Sequence, residues 1–225
     1  MAYAIVTGAS SGIGDAIVTQ LLDQGWHVTG MSRSRVHREN DRFTCVQVDI
    51  SDAAALLSAI AELPTPDALV HAAGMMVAAP LGEIDVSQSA KLWSLHVHAA
   101  EILVNHFAPN MSAGGRIVLI GSRTSRGAAK RSQYVATKAA MVGMARSWAS
   151  ELAARGITVN VVAPGATATP MLTQPGRENS RPVIPPIGRL IQPDEVAALS
   201  LYLLSPQAAA ITGQEMVICG GASLS

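Results

Sequence analysis

The sequence predicts an α/β fold in which a parallel sheet is covered by helices on both faces. Short apolar runs alternate along the chain with longer amphipathic stretches, which is the order that successive β–α–β units produce. Most of the short runs are apolar throughout, as expected for strands that are buried on both faces of a sheet. Right-handed crossovers between such strands give a doubly wound parallel sheet.

The predicted elements follow one another without a linker or a repeat, so we expect a single domain over residues 1–225. The predicted strands are Tyr3–Thr7, His27–Met31, Phe43–Val48, Ala68–His71, Arg116–Ile120, Thr158–Val162 and Glu215–Ile218. The predicted helices are Ile13–Gln24, Asp52–Glu62, Ser87–Phe107, Ser132–Ala154 and Pro193–Leu204. Ser51 is the expected N-cap of the second helix, because a serine there can bond the free N–H groups of the first turn.

One segment departs from this alternation. Residues 174–189 contain four prolines and two glycines, and prolines at this density exclude a regular helix or a central strand. A loop of this length is either a disordered connection or a lid over a binding site, and we expect a lid at residues 170–190. Its apolar residues, which suggest a partly hydrophobic pocket, are Met171, Leu172, Val183, Ile184 and Ile187.

Composition and charge exclude several classes of function. Hydrophobic residues make up 49% of the chain and charged residues 14%, which excludes a disordered protein. The 16 basic and 16 acidic residues balance, so neither a nucleic acid nor a membrane is an expected partner. Cys45 and Cys219 lie far apart beside apolar residues, as reduced core thiols do. Because no signal-peptide pattern and no apolar run of membrane-spanning length is present, we expect a soluble cytoplasmic protein.

A glycine-rich turn follows the first strand and opens the first helix. Gly8 permits a tight turn, Gly12 lets the backbone approach a diphosphate, and Gly14 lets helix and strand pack closely. The helix N-terminus adds free N–H groups and positive potential for phosphate. A turn without a ligand is the alternative, but its place in a β–α–β unit favours a dinucleotide site. The turn residues expected at the cofactor are Gly8, Ser10, Ser11, Gly12, Ile13 and Gly14.

The end of the second strand indicates which dinucleotide is bound. Folds that prefer NAD(H) often place an acid here to hold the ribose 2′-hydroxyl, whereas this chain has Ser32 followed by Arg33. A neutral serine does not repel a 2′-phosphate, and the guanidinium of Arg33 can bind one. We therefore expect NADP(H), with NAD(H) as the alternative if Arg33 and Arg35 are ordinary loop charges.

Tyr134 and Lys138 are four residues apart, so on a helix both side chains rise from one face. A fixed cation favours the phenolate and lowers a phenol pKa that is about 10 in water. A phenol tuned towards neutral pH can exchange a proton with an alcohol oxygen. An isolated pair at this spacing is more often a surface tyrosine and a solvated lysine, so its meaning depends on the rest of the chain.

Taken in order, the motifs resemble those of the short-chain dehydrogenase/reductase family over essentially the whole chain. The matching segments are TGASSGIG at 7–14, Asp49, HAAG at 71–74 in place of NNAG, Gly121-Ser122, Tyr134 with Lys138, Asn160 to Thr169 for VNxxxPGxxxT, and ITGQ at 211–214 with Gly220-Gly221. The resemblance implies a Rossmann-type fold. It also implies further cofactor-binding residues, namely Asp49, Ile50, His71, Ala73, Gly74, Tyr134, Lys138, Pro164, Gly165, Thr167 and Thr169.

The resemblance implies a mechanism as well. Tyr134 would be the general acid/base on the carbonyl or carbinol oxygen, Lys138 would lower its pKa and bind the nicotinamide ribose, and Ser122 would donate a hydrogen bond to the developing oxyanion. NADPH would supply the hydride. These roles predict NADP(H)-dependent interconversion of a carbonyl and a secondary alcohol on a small organic substrate.

His96 stands where the family usually has an Asn that supports a water-linked proton relay behind the lysine. An imidazole nitrogen of His96 could hold the relay water. His96 could instead be a core histidine satisfied by backbone, with the relay rerouted. In a third interpretation, the chain has lost turnover and is an NAD(P)-sensing regulator. We favour the first two and count His96 as catalytic, while His71 is expected to bond or stack against the adenosine side of the cofactor.

Two expectations concern partners and metals. The family often forms dimers or tetramers through its fourth and fifth helices, and the apolar residues there predict a homodimer or homotetramer, although core packing would explain several of them equally well. These residues are Trp93, Leu103, Met141, Met144 and Trp148. His98 points away from His96 on a helix, so no metal site is predicted. The basic loop between Ser122 and Tyr134 could favour an acidic substrate, but a solvated surface explains it better.

Overall fold

A parallel β-sheet forms the centre of the structure, a computed structural model that describes residues 2–173 and 183–224. Within the described residues the strands are β1 Tyr3–Thr7, β2 His27–Ser32, β3 Phe43–Gln47, β4 Ala68–His71, β5 Arg116–Ile120, β6 Thr158–Pro164 and β7 Glu215–Ile218. They lie in the order β3-β2-β1-β4-β5-β6-β7, and every neighbouring pair is parallel. The chain reverses its direction of winding between β1 and β4, which is where such sheets open a crevice for a ligand.

Helices cover both faces of this sheet, which confirms the predicted doubly wound, Rossmann-type fold. The helices of the described residues are α1 Gly12–Asp23, α2 Ala53–Ile60, α3 Ser87–Trp93, α4 Ala99–Phe107, α5 Ser132–Leu152 and α6 Pro193–Leu204. One core layer packs α1 and α6 against the sheet, and includes Ile17 and Val196. The layer on the opposite face packs α2, α4 and α5, and includes Phe107 and Met141. None of the helices in the described residues is long and apolar enough to cross a membrane.

The stretch Ser87–Phe107, predicted as one regular helix, contains a π-helical turn. The turn spans Ser94–His98 and joins α3 to α4, with the N–H of Ala99 donating to the carbonyl of Ser94. A π turn accommodates one extra residue, and such turns are frequent at functional sites. His96 lies at the middle of the turn, so the irregularity is located at the residue that departs from the family pattern.

The N-cap of α2 also differs from the expectation. Asp52, and not Ser51, caps the helix, with its Oδ1 atom 3.0 Å from the N–H nitrogen of Ala54 and 3.1 Å from that of Ala55. A carboxylate is favoured at this end because it also interacts with the helix dipole. Ser51 instead donates its hydroxyl to Oδ1 of Asp49 over 2.7 Å, which places both residues at the end of β3.

The predicted lid at residues 170–190 falls partly outside the described residues, which do not include 174–182. Pro175 and Pro182 belong to this omitted part. On its near side, Pro170–Thr173 forms a short 3-10 turn. On its far side, the chain returns to the sheet edge where Ile191 bridges to Thr167. The lid itself therefore stays a prediction, although described residues on both sides of it line the same cavity.

Candidate active site

A cavity of about 780 Å³ opens where the strands reach their carboxyl ends. Its size lies within the range of about 300–1,000 Å³ that is common for small-molecule sites. The predicted site residues that line it are Gly8, Ser10, Ser11, Gly12, Ile13, Gly14, Ser32, Arg33, Asp49, Ile50, Ala73, Gly74, Ser122, Tyr134, Lys138, Pro164, Gly165, Thr167 and Thr169. Two predicted residues, His71 and His96, do not line the cavity.

The glycine-rich turn has the geometry of a diphosphate cradle. Gly8 has a φ of 71°, and a Cβ atom there would lie 2.8 Å from the backbone of Ala73. A Cβ atom on Gly14 would lie 2.3 Å from the carbonyl oxygen of Gly8, so only glycine fits between α1 and the turn. Ser11 is the N-cap of α1, but its side chain does not cap the helix. The residues present therefore fit a dinucleotide, because the first N–H groups of α1 are available to an anion.

The far end of the cavity, beside β2 and β3, has the features of an adenosine site. Hydrogen bonds from the hydroxyl and N–H of Ser51 hold the pKa of Asp49 below its usual range, with a smaller contribution from the charge of Arg33. Asp49 is therefore an ionised acceptor, as contact with an amino group requires. Ser32 is buried and donates its hydroxyl to the carbonyl of Ser34 over 2.6 Å, whereas Arg33 is exposed and lines the cavity.

Ser122, Tyr134 and Lys138 are brought together at the other end of the cavity. Ser122 follows the end of β5 after Gly121. Its Oγ lies 2.9 Å from Thr124 Oγ1 and accepts the Thr124 N–H over 3.2 Å. Lys138 is buried, and its Nζ donates to the carbonyl of Ile120 over 2.8 Å. The same Nζ is 5.8 Å from the centre of the Tyr134 ring. Two successive turns of α5 thus present the phenol and the amine to one wall.

Burial changes the acid–base chemistry of Lys138. Removal from water disfavours the ammonium form, which lowers its pKa from 10.5 to about 7. The Nζ atom also lies 3.5 Å from the sulfur of Met141. Lys138 is therefore close to its titration point at neutral pH, where it can gain or release a proton.

His96 is fully buried and both of its ring nitrogens have partners within the protein. Nε2 accepts the N–H of Met75 over 3.1 Å, so the ring proton is on Nδ1, which donates to Thr137 Oγ1 over 2.9 Å. The Thr137 hydroxyl in turn donates to the carbonyl of Tyr134 over 2.9 Å. The expectation that an imidazole nitrogen holds a relay water is therefore wrong. His96 is a core histidine that connects the cavity wall at Met75 to the backbone of Tyr134.

The environment of His96 keeps the imidazole neutral. Burial, followed by the nearby charges of Lys138 and His71, lowers the pKa of His96 well below its usual value. The ring also packs edge-on against Tyr134, with 5.7 Å between ring centres. The contacts of His96 therefore join the loop at Met75 to α5, and they occupy both ring nitrogens.

His71 is buried as well and does not reach the cofactor cleft. Its side chain is 1% exposed, and Nδ1 lies 3.0 Å from Thr7 Oγ1. Because that hydroxyl already accepts the N–H groups of Ala72 and Ala73, it donates its proton to Nδ1, which leaves the ring proton on Nε2. Nε2 makes no hydrogen bond of normal geometry. Burial and the charge of Lys138 lower the pKa of His71 to about 3. The predicted contact with adenosine is therefore wrong.

Several residues of the site were missed from the sequence. The additional wall of the cavity includes Met75, Met76, Lys91, Leu95, Arg123, Thr124, Arg131 and Ala222. Most lie in loops after β4 and β5, where position in the fold and not a motif decides the contact. Thr137 was also missed, although its place directly before Lys138 was a usable signal. No group of three or more His, Cys, Asp or Glu side chains suited to a metal ion occurs among the described residues.

Comparisons with known sequences agree with this geometry. A family model described as enoyl-(acyl carrier protein) reductase matches residues 8–223. Cis-4-hydroxycyclohexanecarboxylate dehydrogenase of Sinomonas cyclohexanicum is 33% identical, over 97% of this chain and 95% of its own. The 3-oxoacyl-(acyl-carrier-protein) reductase FabG of Vibrio cholerae is 33% identical, over 97% of this chain and 96% of its own.

Solved structures extend the likeness to three dimensions. A short chain dehydrogenase family protein of Francisella tularensis has a TM-score of 0.91 at 27% identity, and each chain covers 100% of the other. A 4-hydroxyisoleucine dehydrogenase complexed with NADH has a TM-score of 0.89 at 25% identity, again with 100% coverage of both chains. A blue fluorescent protein from a metagenomic library, in complex with NADPH, has a TM-score of 0.85 at 30% identity and covers 98% of this chain and 97% of its own. With a matching family model over residues 8–223 and relatives that align almost end to end, the chain belongs to the short-chain dehydrogenase/reductase family of oxidoreductases.

Proposed function

We propose that the protein is an NADP(H)-dependent oxidoreductase that interconverts a carbonyl and a secondary alcohol on a small organic substrate. The observation that carries this proposal is the convergence of Ser122, Tyr134 and Lys138 on one cavity that also contains the glycine-rich turn. The relatives named above as dehydrogenases and reductases support the reaction class.

Each residue of the site has a defined task in this reaction. The turn at Gly8–Gly14 would hold the diphosphate and Asp49 the adenine, while Pro164 to Thr169 would hold the nicotinamide end. The bound dinucleotide supplies or accepts the hydride. Tyr134 gives its phenolic proton to the carbonyl oxygen during reduction and takes it back during oxidation.

The neighbours of Tyr134 support this proton transfer. Lys138, when charged, stabilises the phenolate that remains. Ser122 donates a hydrogen bond to the same substrate oxygen, where negative charge develops. Thr124 fixes the Ser122 hydroxyl through two contacts, so the donor is oriented before substrate binds.

Replacing Tyr134 with Phe tests the proposed reaction. We expect turnover of any accepted carbonyl compound to fall by at least about 10²-fold, because the general acid is lost, while the Kd for NADPH changes little. Oxidation of NADPH is followed at its absorbance maximum with a panel of ketones and aldehydes. Tyr202→Phe is the matched control, since Tyr202 is exposed on α6 away from the cavity.

Two results would contradict the proposal. Near-normal turnover by Tyr134→Phe would remove Tyr134 as the acid/base. NADPH binding without turnover of any compound in the panel would favour the NAD(P)-sensing regulator.

The preference for NADP(H) over NAD(H) is proposed on the basis of Ser32 and Arg33. The last residue of β2, Ser32, and the residue directly after it, Arg33, are not acidic, and the exposed Arg33 is available to a 2′-phosphate. The two related structures with nicotinamide cofactors contain NADH in one case and NADPH in the other, so kinetics must decide. We expect kcat/KM to be higher with NADPH, and Arg33→Ser to reduce that advantage; a clear preference for NADH would overturn the assignment.

We also propose that the protein is a homodimer or homotetramer. Of the helix residues considered above, Leu103 and Met141 are core residues, whereas Trp93 is 37% exposed. Met144 and Trp148, both half-buried, line a shallow groove between α4 and α5, which a second copy could cover. Light scattering after gel filtration tests this, and a monomer at micromolar concentration would contradict it. The cytoplasmic location stays a prediction.

A further inference from the structure

The wall of the cavity beyond Ser122 and Tyr134 combines apolar and basic side chains. Its apolar members are Met75, Met76, Leu95, Met171, Leu172 and Val183. Its basic members are Lys91, Arg123 and Arg131. The carboxylate that lines the described part of the cavity, Asp49, lies at the opposite end beside β3. Among the described residues, the charged side chains at the substrate end of the cavity are therefore all basic, although the whole chain has no net charge.

Arg123 is the basic residue placed closest to the chemistry. It directly follows Ser122, so the two Cα atoms are about 3.8 Å apart. Its side chain is half-buried, and one guanidinium nitrogen donates to the carbonyl of Ala222 over 3.1 Å. This bond ties the side chain to the C-terminal segment and fixes the guanidinium in the cavity wall.

Arg123 forms no ion pair with any carboxylate of the described residues, in contrast to its neighbour Arg126. The side chain of Arg126 is 81% exposed and lies 3.7 Å from Glu215. A guanidinium has five N–H donors and the bond to Ala222 uses one of them, so others can bind a carboxylate ligand. Placed beside Ser122 and facing the cavity, Arg123 therefore has the position of a substrate-binding residue.

Resting on the proposed function, we infer that the substrate is an oxo acid, or the matching hydroxy acid, whose carboxylate is bound by Arg123. A guanidinium binds a carboxylate through two parallel hydrogen bonds, and Lys91 adds positive charge to the same wall. The apolar side chains then contact the hydrocarbon body between the carboxylate and the reacting carbon.

The position of Arg123 also favours a carboxylate over the phosphate of a phosphopantetheine thioester. In such a thioester a long chain of atoms separates the phosphate from the reacting carbonyl, whereas Arg123 is adjacent in sequence to the residue that contacts the carbonyl oxygen. The carboxylate takes no part in the bond changes. The carbonyl carbon gains a hydride from NADPH and its oxygen gains the Tyr134 proton, so the products are a secondary alcohol and NADP⁺.

The test compares a series of oxo acids of increasing length with their methyl esters. We expect kcat/KM of the wild-type protein for the best acid to exceed that for its ester by about 10- to 100-fold, the range of a hydrogen-bonded charge. In Arg123→Gln this ratio falls towards one, mainly through a higher KM for the acid, while kcat/KM for the ester changes much less. Arg123→Lys retains part of the preference, and the matched control Arg126→Gln retains all of it.

The outcomes separate this inference from the proposed function. Turnover of esters and acids with equal kcat/KM by the wild-type protein overturns the inference and leaves the oxidoreductase intact. A similar loss with acid and ester in Arg123→Gln also overturns it, provided that NADPH titration shows an unchanged Kd and hence a folded protein. If Arg123→Gln impairs turnover of a phosphopantetheine thioester, assayed in parallel, and leaves the oxo acids unaffected, then Arg123 recognises a phosphate and the inference is overturned. Absence of turnover with every compound refutes the proposed function itself.

Discussion

Replacing Lys138 with Met is expected to abolish turnover and to stabilise the cofactor-free protein at neutral pH. Burial lowers the pKa of Lys138 from 10.5 to about 7, which means that folding disfavours the ammonium. At about 1.36 kcal/mol for each pH unit, this penalty is about 4 kcal/mol near pH 7. The variant loses the hydrogen bond to Ile120, which offsets about 1 kcal/mol. The net gain in the free energy of unfolding is therefore about 3 kcal/mol.

The gain in the free energy of unfolding of Lys138→Met over the wild type must depend on pH in a defined direction. Between about pH 7 and 10.5 the unfolded chain carries a proton on Lys138 that the folded chain lacks, so the stability of the wild-type protein rises with pH across this window. Below about pH 7 both states are charged and the full penalty applies. Lys138→Met has no such dependence, so its advantage should shrink as the pH rises towards 10.

Urea unfolding of the cofactor-free proteins at several pH values, followed by circular dichroism, measures both effects. The difference between variant and wild type cancels the titration of groups that do not interact with Lys138. The two imidazoles that do interact with it, His71 and His96, have lowered pKa values in the wild-type protein, below the pH window of the test. Lys91→Met is the control, because Lys91 is exposed and its loss should change stability by no more than about 0.5 kcal/mol. A variant that is less stable than the wild type at pH 7, or a difference that does not vary with pH, would refute the reasoning.

Two further substitutions test the supports of the site. In Thr137→Val the hydrogen bonds that link His96 to the Tyr134 carbonyl are broken, so kcat should fall and the free energy of unfolding should drop by about 1–3 kcal/mol. Thr137→Ser, assayed in parallel, should restore both quantities. An unchanged kcat in Thr137→Val would contradict the role of Thr137 in supporting Tyr134. In Gly14→Ala the new Cβ would lie 2.3 Å from the Gly8 carbonyl, so NADPH affinity should fall by at least about 10-fold as the diphosphate turn shifts. Gly143→Ala is its control, since that Cβ would meet no atom within 4 Å; equal affinities of the two variants would argue against the cradle.

The sequence predicted well those elements that depend on a local pattern of apolar residues. Bounds of the strands agree within a residue or two because an uninterrupted apolar run is required wherever both faces of a sheet are covered. Site residues in motifs, such as Gly8 and Ser122, line the cavity because they follow the carboxyl ends of β1 and β5, where the cavity opens. The π turn at Ser94–His98 has no such local signal, because one extra residue hardly disturbs a 3.6-residue period.

The directions in which individual side chains point could not be predicted from the sequence. Arg123 and Arg126 are three residues apart in one basic loop, yet one lines the cavity and the other is ion-paired at the surface. The directions of the His71 and His96 side chains were not predicted either. Each histidine replaces a polar residue of the family pattern, and for this reason we expected it to contact ligand or water. Burial and a threonine partner decide their role, and both depend on contacts between residues that are far apart in sequence.

His71 and His96 are held in the same way, and both rings are neutral, which is compatible with a positive charge on Lys138. Each imidazole is buried and held by a threonine hydroxyl of a neighbouring element, Thr7 for His71 and Thr137 for His96. Lys138 lowers the pKa of both rings, and by reciprocity a proton on either ring would lower the pKa of Lys138. Neutral imidazoles are therefore compatible with a charged Lys138 at the pH of catalysis, whereas charged ones are not. Histidine fits at these positions because each threonine fixes the tautomer of a neutral ring beside Lys138.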